Sequence, residues 1–300
     1  MKLIVGAYPA QPPGHADRAA FYSELAEETS IRGLELPYRQ DGGEPWPAGA
    51  HTDWTAVITA IPGTMQKMGR DPYFGLASSD PTGRAAALSY AADIRDYAES
   101  LTADGHRVEA IELHSAPLAH GSAEALTASL HEILSWNWHD AAITIEHCDA
   151  PAAGREPEKG FLPLAAEIEI VRELREAGHQ TGLIVNWGRS VIQGHHTQTA
   201  VDHINAAQQA GVLSGVMFSG CSPQETELGY PWIDAHLPAR EIQDAPQSSL
   251  LDQHQIRRSL NAAGTPPIIG FKVAVTATAV TAAERARRIR HMCGLVTSCL

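Results

Sequence analysis

The sequence predicts an α/β protein that folds as a single (β/α)8, or TIM, barrel over residues 1–300, with long loops at its C-terminal face. Short apolar runs rich in Val, Ile and Leu alternate with longer segments whose apolar residues recur at helical spacing, which is typical of βα units around a parallel sheet. The connections after the apolar runs are long and those before them are short, as in barrels whose strand-to-helix loops form a site. No linker rich in Gly, Ser or charge divides the chain, so one domain is the simpler interpretation.

Eight apolar runs are expected to form the strands. They are residues 3–8, 33–37, 57–62, 108–114, 141–147, 182–187, 214–219 and 268–275. One-sided apolar stripes predict helices around Ala87, Ala91, Ile94, Ala98 and Leu101, around Ile168, Val171 and Leu174, and around Ala282, Ala286, Ile289, Cys293 and Val296. The long connections 38–52, 63–83, 149–160 and 221–247 all follow strands and are expected to enclose a pocket, the last of them as a lid.

Charge and composition exclude several classes of partner. The chain has 35 acidic and 22 basic residues and a formal net charge of −13, which repels nucleic acid and anionic lipid. No uncharged apolar run approaches the roughly 18 residues that a membrane span needs. Its four cysteines form no CxxC pair, which favours a reducing cytoplasmic location. We therefore expect a small-molecule partner, with neither nucleic acid nor membrane, while the oligomeric state stays open.

The alternation of side chains along each strand predicts which residues face the barrel axis. In the fifth strand, outward Ile143 and Ile145 leave Thr144 and Glu146 inside. The same argument turns further polar residues inward near the C-terminal ends of their strands: Glu35, Glu112, His114, Asn186, Ser219 and Lys272. Because a buried charge costs several kcal/mol unless it is paired, these groups must pair with one another or bind a ligand.

Three inward-facing segments resemble the xylose-isomerase-like superfamily of sugar isomerases, epimerases and apurinic endonucleases. They are Gly33-Leu34-Glu35-Leu36, Leu113-His114-Ser115 and Ile143-Thr144-Ile145-Glu146-His147. More narrowly, residues 3–9 (LIVGAYP) and 186–190 (NWGRS) are similar to bacterial proteins catalogued as a domain of unknown function. The resemblance covers nearly the whole chain and implies a TIM barrel that acts on a carbohydrate or sugar acid.

The resemblance also implies a metal site, and the sequence departs from it. Metal-dependent members hold a divalent cation with Glu, Asp, His and Glu from strands five to eight. The matching inward positions here are Glu146, Asn186, Ser219 and Lys272. An ammonium would repel a divalent ion, so we expect no cofactor and infer that Lys272 supplies the positive charge. Weaker candidates for a divalent metal site are His195 or His196 with His203, and His147 with Asp149.

Site roles follow from these positions. Glu146 is the expected base, His114 or His147 its partner acid, and Lys272 the electrostatic stabiliser. Aromatic faces pack on sugar C–H surfaces, and an arginine can clamp an anionic group. The expected substrate-binding residues are Tyr8, Glu35, Asn186, Trp187, Arg189, Ser219, Tyr230 and Trp232.

The first functional hypothesis is an isomerase, epimerase or lyase that transfers a proton next to a sugar carbonyl, without a metal. A second makes Lys272 the Schiff-base nucleophile of an aldolase. Glycoside hydrolysis by Glu112 and Glu146 is a third possibility. From a different class, the chain is a sugar-binding barrel without turnover, because the metal ligands of its relatives have changed.

Overall fold

The computed structural model describes residues 2–38, 44–275 and 281–300, and in it eight parallel strands close into one barrel in chain order. The strands are β1 (Leu3–Gly6), β2 (Ile31–Pro37), β3 (Thr55–Thr59), β4 (Val108–Leu113), β5 (Ala142–His147), β6 (Thr181–Asn186), β7 (Leu213–Phe218) and β8 (Ile268–Lys272). Closure comes from the pairing of β1 with β8, in which Gly6 is the partner of Lys272. The predicted fold class is confirmed.

Nine helices are described around this barrel. They are α1 (His15–Ala26), α2 (Ile61–Met68), α3 (Pro81–Ala103), α4 (Ala123–Leu134), α5 (Leu164–Glu176), α6 (Trp187–Gly194), α7 (Thr197–Gln209), α8 (Gln253–Ala263) and α9 (Ala282–Thr297). The three predicted stripes lie on α3, α5 and α9, and all their residues except half-buried Ala282 are buried. Side chains cap several of these helices: Asp80 accepts from the Gly83 amide, and Thr281 forms a capping box with Glu284.

The second and third βα units differ from the prediction. The third strand ends at Thr59, and Ile61 begins α2, because Pro62 suits a first helical turn that needs no amide hydrogen there. The predicted long connection 63–83 therefore contains the rest of α2. Between β2 and β3, residues 44–54 form no helix, so α2 and α3 both belong to the third unit. The predicted connection 38–52 falls partly outside the described residues.

Two separate apolar clusters confirm the predicted strand register. The outward residues, among them Leu34, Ile143 and Phe271, join the large core between barrel and helices. A small second cluster fills the inside of the barrel near the N-terminal ends of the strands. It consists of Ile4, Val57, Ala110, Ile184, Met217 and Ile268. Above it, towards the C-terminal ends, the inward residues are polar and charged.

Two observations relate to the predictions about membrane spans and cysteines. Among the helices described, none combines the length and apolarity that crossing a bilayer requires. All four cysteines are free thiols, and three of them, Cys148, Cys221 and Cys293, are buried.

Candidate active site

A buried ion pair joins β8 to β2 and β5 at the C-terminal end of the barrel. The Lys272 ammonium lies 2.5 Å from Glu35 Oε1 and 3.0 Å from Glu146 Oε1, and all three side chains are inaccessible to solvent. Gly6 at the end of β1 makes room for them. A Cβ atom there would lie 2.5 Å from Glu35 Oε2 and 2.6 Å from Lys272 Cβ. Opposite charges from β5 and β8 therefore meet where the register predicted.

Four donors surround the Glu146 carboxylate. Oε1 accepts from Lys272 and from Asn186 Nδ2 at 3.0 Å, and Oε2 lies 3.1 Å from His114 Nε2 and 2.5 Å from Arg189 Nη1. Although burial alone would raise the pKa of Glu146, the charges of Arg189 and Lys272 hold this pKa well below its usual range. A carboxylate whose two oxygens already contact four donors has no open position at which to accept a substrate proton. This geometry favours a different role for Glu146 from the predicted one, that of a group which orients its four partners.

His114 has the geometry of an oriented base. Burial lowers the pKa of His114 to about 4, even though Glu146 raises it, so the ring is neutral at neutral pH. With its proton on Nε2, the imidazole donates to Glu146 and leaves a lone pair on Nδ1, which has no hydrogen-bond partner among the described residues. A histidine held by a carboxylate through one nitrogen can accept a proton on the other.

The buried charges continue from Glu146 towards the loops. Arg189 Nε donates to Asp234 Oδ2 at 2.9 Å, and the Lys159 ammonium donates to the same oxygen at 2.7 Å. Lys159 and Asp234 are only 7% and 5% exposed. Burial would raise the pKa of Asp234, but Lys159 and Arg189 hold it well below its usual range. Negative and positive groups thus alternate in one buried series, here called the charge row: Glu35, Lys272, Glu146, Arg189, Asp234 and Lys159.

Glu112 lies deeper in the barrel and outside the charge row. Glu35, Glu112 and Glu146 each offer an oxygen within 4.8 Å of the other two, an arrangement that could hold a metal ion. Burial, helped by the charges of Glu146 and Glu35, raises the pKa of Glu112 well above its usual range and favours the protonated acid. Protonated Glu112 can donate a hydrogen bond to Glu35, and this interaction also raises its pKa.

The donor set nevertheless does not fit a divalent cation. The Lys272 ammonium already contacts two of these three carboxylates. At two positions that the resemblance equates with metal ligands, Asn186 Oδ1 accepts from Ser219 Oγ at 3.0 Å and from the Arg189 amide at 3.3 Å. Because the Lys272 ammonium lies among these carboxylates, a divalent ion would meet electrostatic repulsion there.

The histidines proposed as weaker metal ligands have other contacts. His195 stacks on the Trp232 ring at 3.9 Å, and the His196 side chain caps α7. Asp149 Oδ2 accepts from the Lys159 amide. In the described parts of the chain, none of these residues belongs to a cluster with metal-ligand geometry.

His147 lies on the opposite face of β5 from Glu146. Its Nδ1 is 2.7 Å from Glu167 Oε2 on α5, and Ser115 Oγ donates to the other oxygen of Glu167 at 2.5 Å. Its ring also packs edge-on against His203 of α7. Because successive strand residues alternate, a side chain next to inward Glu146 must face the helices. Of the two histidines predicted as partner acid, His114 contacts Glu146 and His147 faces the helices.

Three predicted aromatic contacts lie away from the charge row. Trp187, the first residue of α6, is buried in the core between barrel and helices. Tyr230 is 55% exposed and donates to Glu158, while Trp232 stacks on His195. The structure places none of the three in direct contact with Lys272 or Glu146, and their predicted role in sugar binding stays a prediction.

Tyr8 lies where the charge row approaches a cavity. Its hydroxyl oxygen is buried without a partner in the described chain, and burial raises its pKa although the Lys272 charge lowers it. Tyr8 also lines a cavity of about 380 Å³ together with Gln11, Tyr22 and Leu36. The cavity lies beside the barrel mouth, between the segments that follow β1 and β2.

The segment 221–247, predicted to act as a lid, is attached to the ends of β7 and β8. Gly220 and Leu237 exchange backbone hydrogen bonds, and the His236 carbonyl accepts from the Ala274 amide after β8. The His236 ring meets the Tyr8 ring edge-on, with centroids 6.5 Å apart. In this closed arrangement the charge row is sealed from solvent.

Sequence reasoning missed the contribution of Lys159 and the pairing of Asp234 with Arg189. Lys159 follows β5 and Asp234 follows β7, both in irregular segments to which no periodicity applies. The sequence offers one indication that they meet: both lie in loops that follow strands, and such loops meet at one end of a barrel.

Comparisons with known proteins agree with this architecture. The family model described as Domain of unknown function (DUF4862) matches residues 4–288. An uncharacterized protein of Salmonella typhimurium strain LT2 is 35% identical over 283 residues, covering 89% of this chain and 87% of the relative.

Solved structures share the fold at low sequence identity. D-allulose 3-epimerase from Methylomonas sp., in complex with D-allulose, is 12% identical with a TM-score of 0.54, and the match covers 97% of both chains. A xylose isomerase-like TIM barrel protein from Mycobacterium smegmatis, in complex with magnesium, is 10% identical with a TM-score of 0.52 and covers 100% of this chain and 97% of its own. At such identities the likeness establishes the fold alone.

Proposed function

Because the chain belongs to the family described as Domain of unknown function (DUF4862) and has the fold of xylose isomerase-like barrels, we propose that it is a carbohydrate-processing enzyme. The reaction is proton transfer next to a carbonyl of a sugar or sugar acid, of the isomerase, epimerase or lyase type. The structural likeness to a D-allulose 3-epimerase supports this substrate class.

The observation that carries the proposal is the Lys272 ammonium between Glu35 and Glu146. A fixed cation in a water-excluded site stabilises negative charge that develops on a substrate oxygen. In this proposal Lys272 supplies that charge without a metal, and the nearby Tyr8 hydroxyl offers a further donor to the same oxygen.

His114 accepts the substrate proton at Nδ1 in the proposed reaction. Glu146 holds His114 through Nε2 and stabilises the imidazolium that forms. This assignment follows from the free Nδ1 of His114 and from the full set of donors on Glu146. Substrate reaches these groups after residues 221–247 move, since His114 is only 2% exposed when they are closed.

The Schiff-base alternative requires Lys272 as a neutral amine. Burial would lower the pKa of Lys272, but the charges of Glu146 and Glu35 keep it well above the usual value. An ammonium is no nucleophile, which favours the electrostatic role. Borohydride should therefore trap no covalent adduct with keto-sugars.

Deuterium exchange tests the proposal without a known substrate. The protein is incubated in D2O with a panel of aldoses, ketoses and sugar acids, and NMR detects deuterium on the carbon next to the carbonyl. We expect the wild type to label at least one panel member and His114→Gln to lose about 10²–10⁴-fold in rate.

His203→Gln is the matched control, because His203 is a largely buried histidine that contacts Ser190 on the helix side of the barrel. It should label at the wild-type rate. An unimpaired His114→Gln variant refutes the base assignment. Sugar binding by the wild type without any labelling would identify a binding barrel instead.

A further inference from the structure

Asp234 occupies a position built for an oxyanion. One of its oxygens accepts from Arg189 Nε at 2.9 Å and from the Lys159 ammonium at 2.7 Å, while the other lies 3.3 Å from His236 Nδ1. Arginine and lysine donors that converge on one oxygen are typical of carboxylate and phosphate recognition. Arg189 lies on α6 and Lys159 in the loop after β5, whereas Asp234 comes from the segment after β7.

The backbone around Asp234 is held in an unfavourable conformation. Trp232 and His236 have φ angles of 69° and 56°, in the left-handed region that bulky side chains rarely adopt. Residues in this region persist only where the surroundings enforce them. The ion pairs of Asp234 and the backbone bonds of His236 and Leu237 are the contacts that enforce this conformation.

Arg189 connects this position to the proposed chemistry. Through Nη1 it contacts Glu146 Oε2 at 2.5 Å, and through Nε it contacts Asp234. An anion bound in place of Asp234 would therefore keep Arg189 against Glu146 while the segment after β7 is displaced. The charge row would remain balanced.

We propose that Arg189 and Lys159 form the binding site for an anionic group of the substrate, a carboxylate or a phosphate, and that Asp234 fills this site in the closed, ligand-free protein. The inference rests on the proposed function only in calling the ligand a substrate. It specifies a sugar acid or sugar phosphate over a neutral sugar. Asp234 is a positioning residue that competes with the ligand.

Anion binding to Asp234→Ala tests this proposal without any need for turnover. Calorimetry and thermal unfolding are measured with inorganic phosphate and with acetate, for the wild type and the variant. We expect Asp234→Ala to bind at least one of the two anions at least about tenfold more tightly than the wild type does, with a matching rise in Tm. Preference for phosphate or for acetate distinguishes the two sources of the oxyanion.

Glu109→Ala is the control, because Glu109 is a carboxylate paired with a single arginine, Arg32, where β4 begins. It should gain no affinity for either anion. An equal gain in Glu109→Ala, or no gain in Asp234→Ala, overturns the proposal.

A second measurement covers the case in which Asp234→Ala does not fold. Phosphate or acetate present during refolding should then restore the folded variant, because the anion replaces the lost carboxylate. Refolding that neither anion improves would also overturn the proposal. Tighter anion binding by Asp234→Ala together with failed deuterium labelling would leave this inference standing and refute only the proposed reaction.

Discussion

The two halves of the barrel interior are filled by side chains of opposite character. Near the N-terminal ends of the strands, the inside is packed by apolar side chains such as Ile4, Ile184 and Ile268. Near the C-terminal ends it holds the charge row, whose side chains are at most 7% exposed. β8 contributes to both, with Ile268 at its first residue and Lys272 at its last.

The contrast between the halves indicates that the side chains needed for stability and those needed for chemistry lie at opposite ends of the barrel. Apolar packing is sufficient to close a barrel, and replacing a buried ion pair by well-packed apolar residues is often neutral or stabilising. Removing one partner of a buried pair is costly, because an uncompensated charge remains. We infer that the C-terminal half keeps its charges for function, and that each of them depends on its neighbours.

The largest expected effect on stability comes from Lys272→Met. Without the ammonium, Glu35 remains buried beside the other carboxylates, so we expect a loss of about 3–5 kcal/mol in the free energy of unfolding. Urea denaturation measures it. Ile268→Val on the same strand should cost only about 0.5–1.5 kcal/mol. Equal losses for the two variants would contradict the distinction between the halves.

Gly6→Ala should have a smaller effect. The added Cβ would overlap Lys272 Cβ and one oxygen of Glu35, and overpacking of this kind costs about 1–3 kcal/mol. Thermal unfolding compares it with Gly294→Ala on α9, where no atom of the described chain lies within 4 Å of the new Cβ. The free energy of unfolding of this control variant should rise by about 0.5–1 kcal/mol, because alanine has a higher helix propensity than glycine. Two stabilised variants would show that Gly6 is not needed for space.

The smallest effect is expected from Glu112→Gln, and it depends on pH. The unfolded chain ionises Glu112 above about pH 4, whereas the folded protein keeps it protonated up to its raised pKa. Wild-type stability therefore falls as the pH rises through this window. Glutamine cannot ionise and so avoids this loss of stability. The free energy of unfolding of the variant should exceed that of the wild type by about 1 kcal/mol at pH 7 and by progressively less towards pH 4. Urea denaturation over pH 4–8 detects this trend, and a pH-independent difference would argue against the protonated acid.

The barrel and its inward register could be predicted from the sequence because both depend on local periodicity. Alternation along β5 and β8 placed Glu146 and Lys272 inside, and their charges then had to meet. The extent of β3 was predicted less well, since Ile61 and Pro62 are as apolar at a helix start as in a strand.

The remainder of the site depends on tertiary contacts that no periodicity encodes. Lys159 and Asp234 are 75 residues apart and meet only through the loops that carry them. His147 follows Glu146 directly, and alternation along β5 turns its side chain towards Glu167. The four donors to the Glu146 carboxylate likewise come from different elements, so no local pattern predicts that both of its oxygens are occupied.

The most direct test of the central claim, that the Lys272 ammonium takes the place of a divalent cation beside Glu35 and Glu146, is a calorimetric titration with Mn²⁺. We expect no saturable Mn²⁺ binding by the wild type. We expect saturable Mn²⁺ binding by Lys272→Glu, because this substitution replaces the repelling ammonium with a further carboxylate beside Glu35 and Glu146. Saturable binding by the wild type that Glu146→Gln abolishes would contradict the claim.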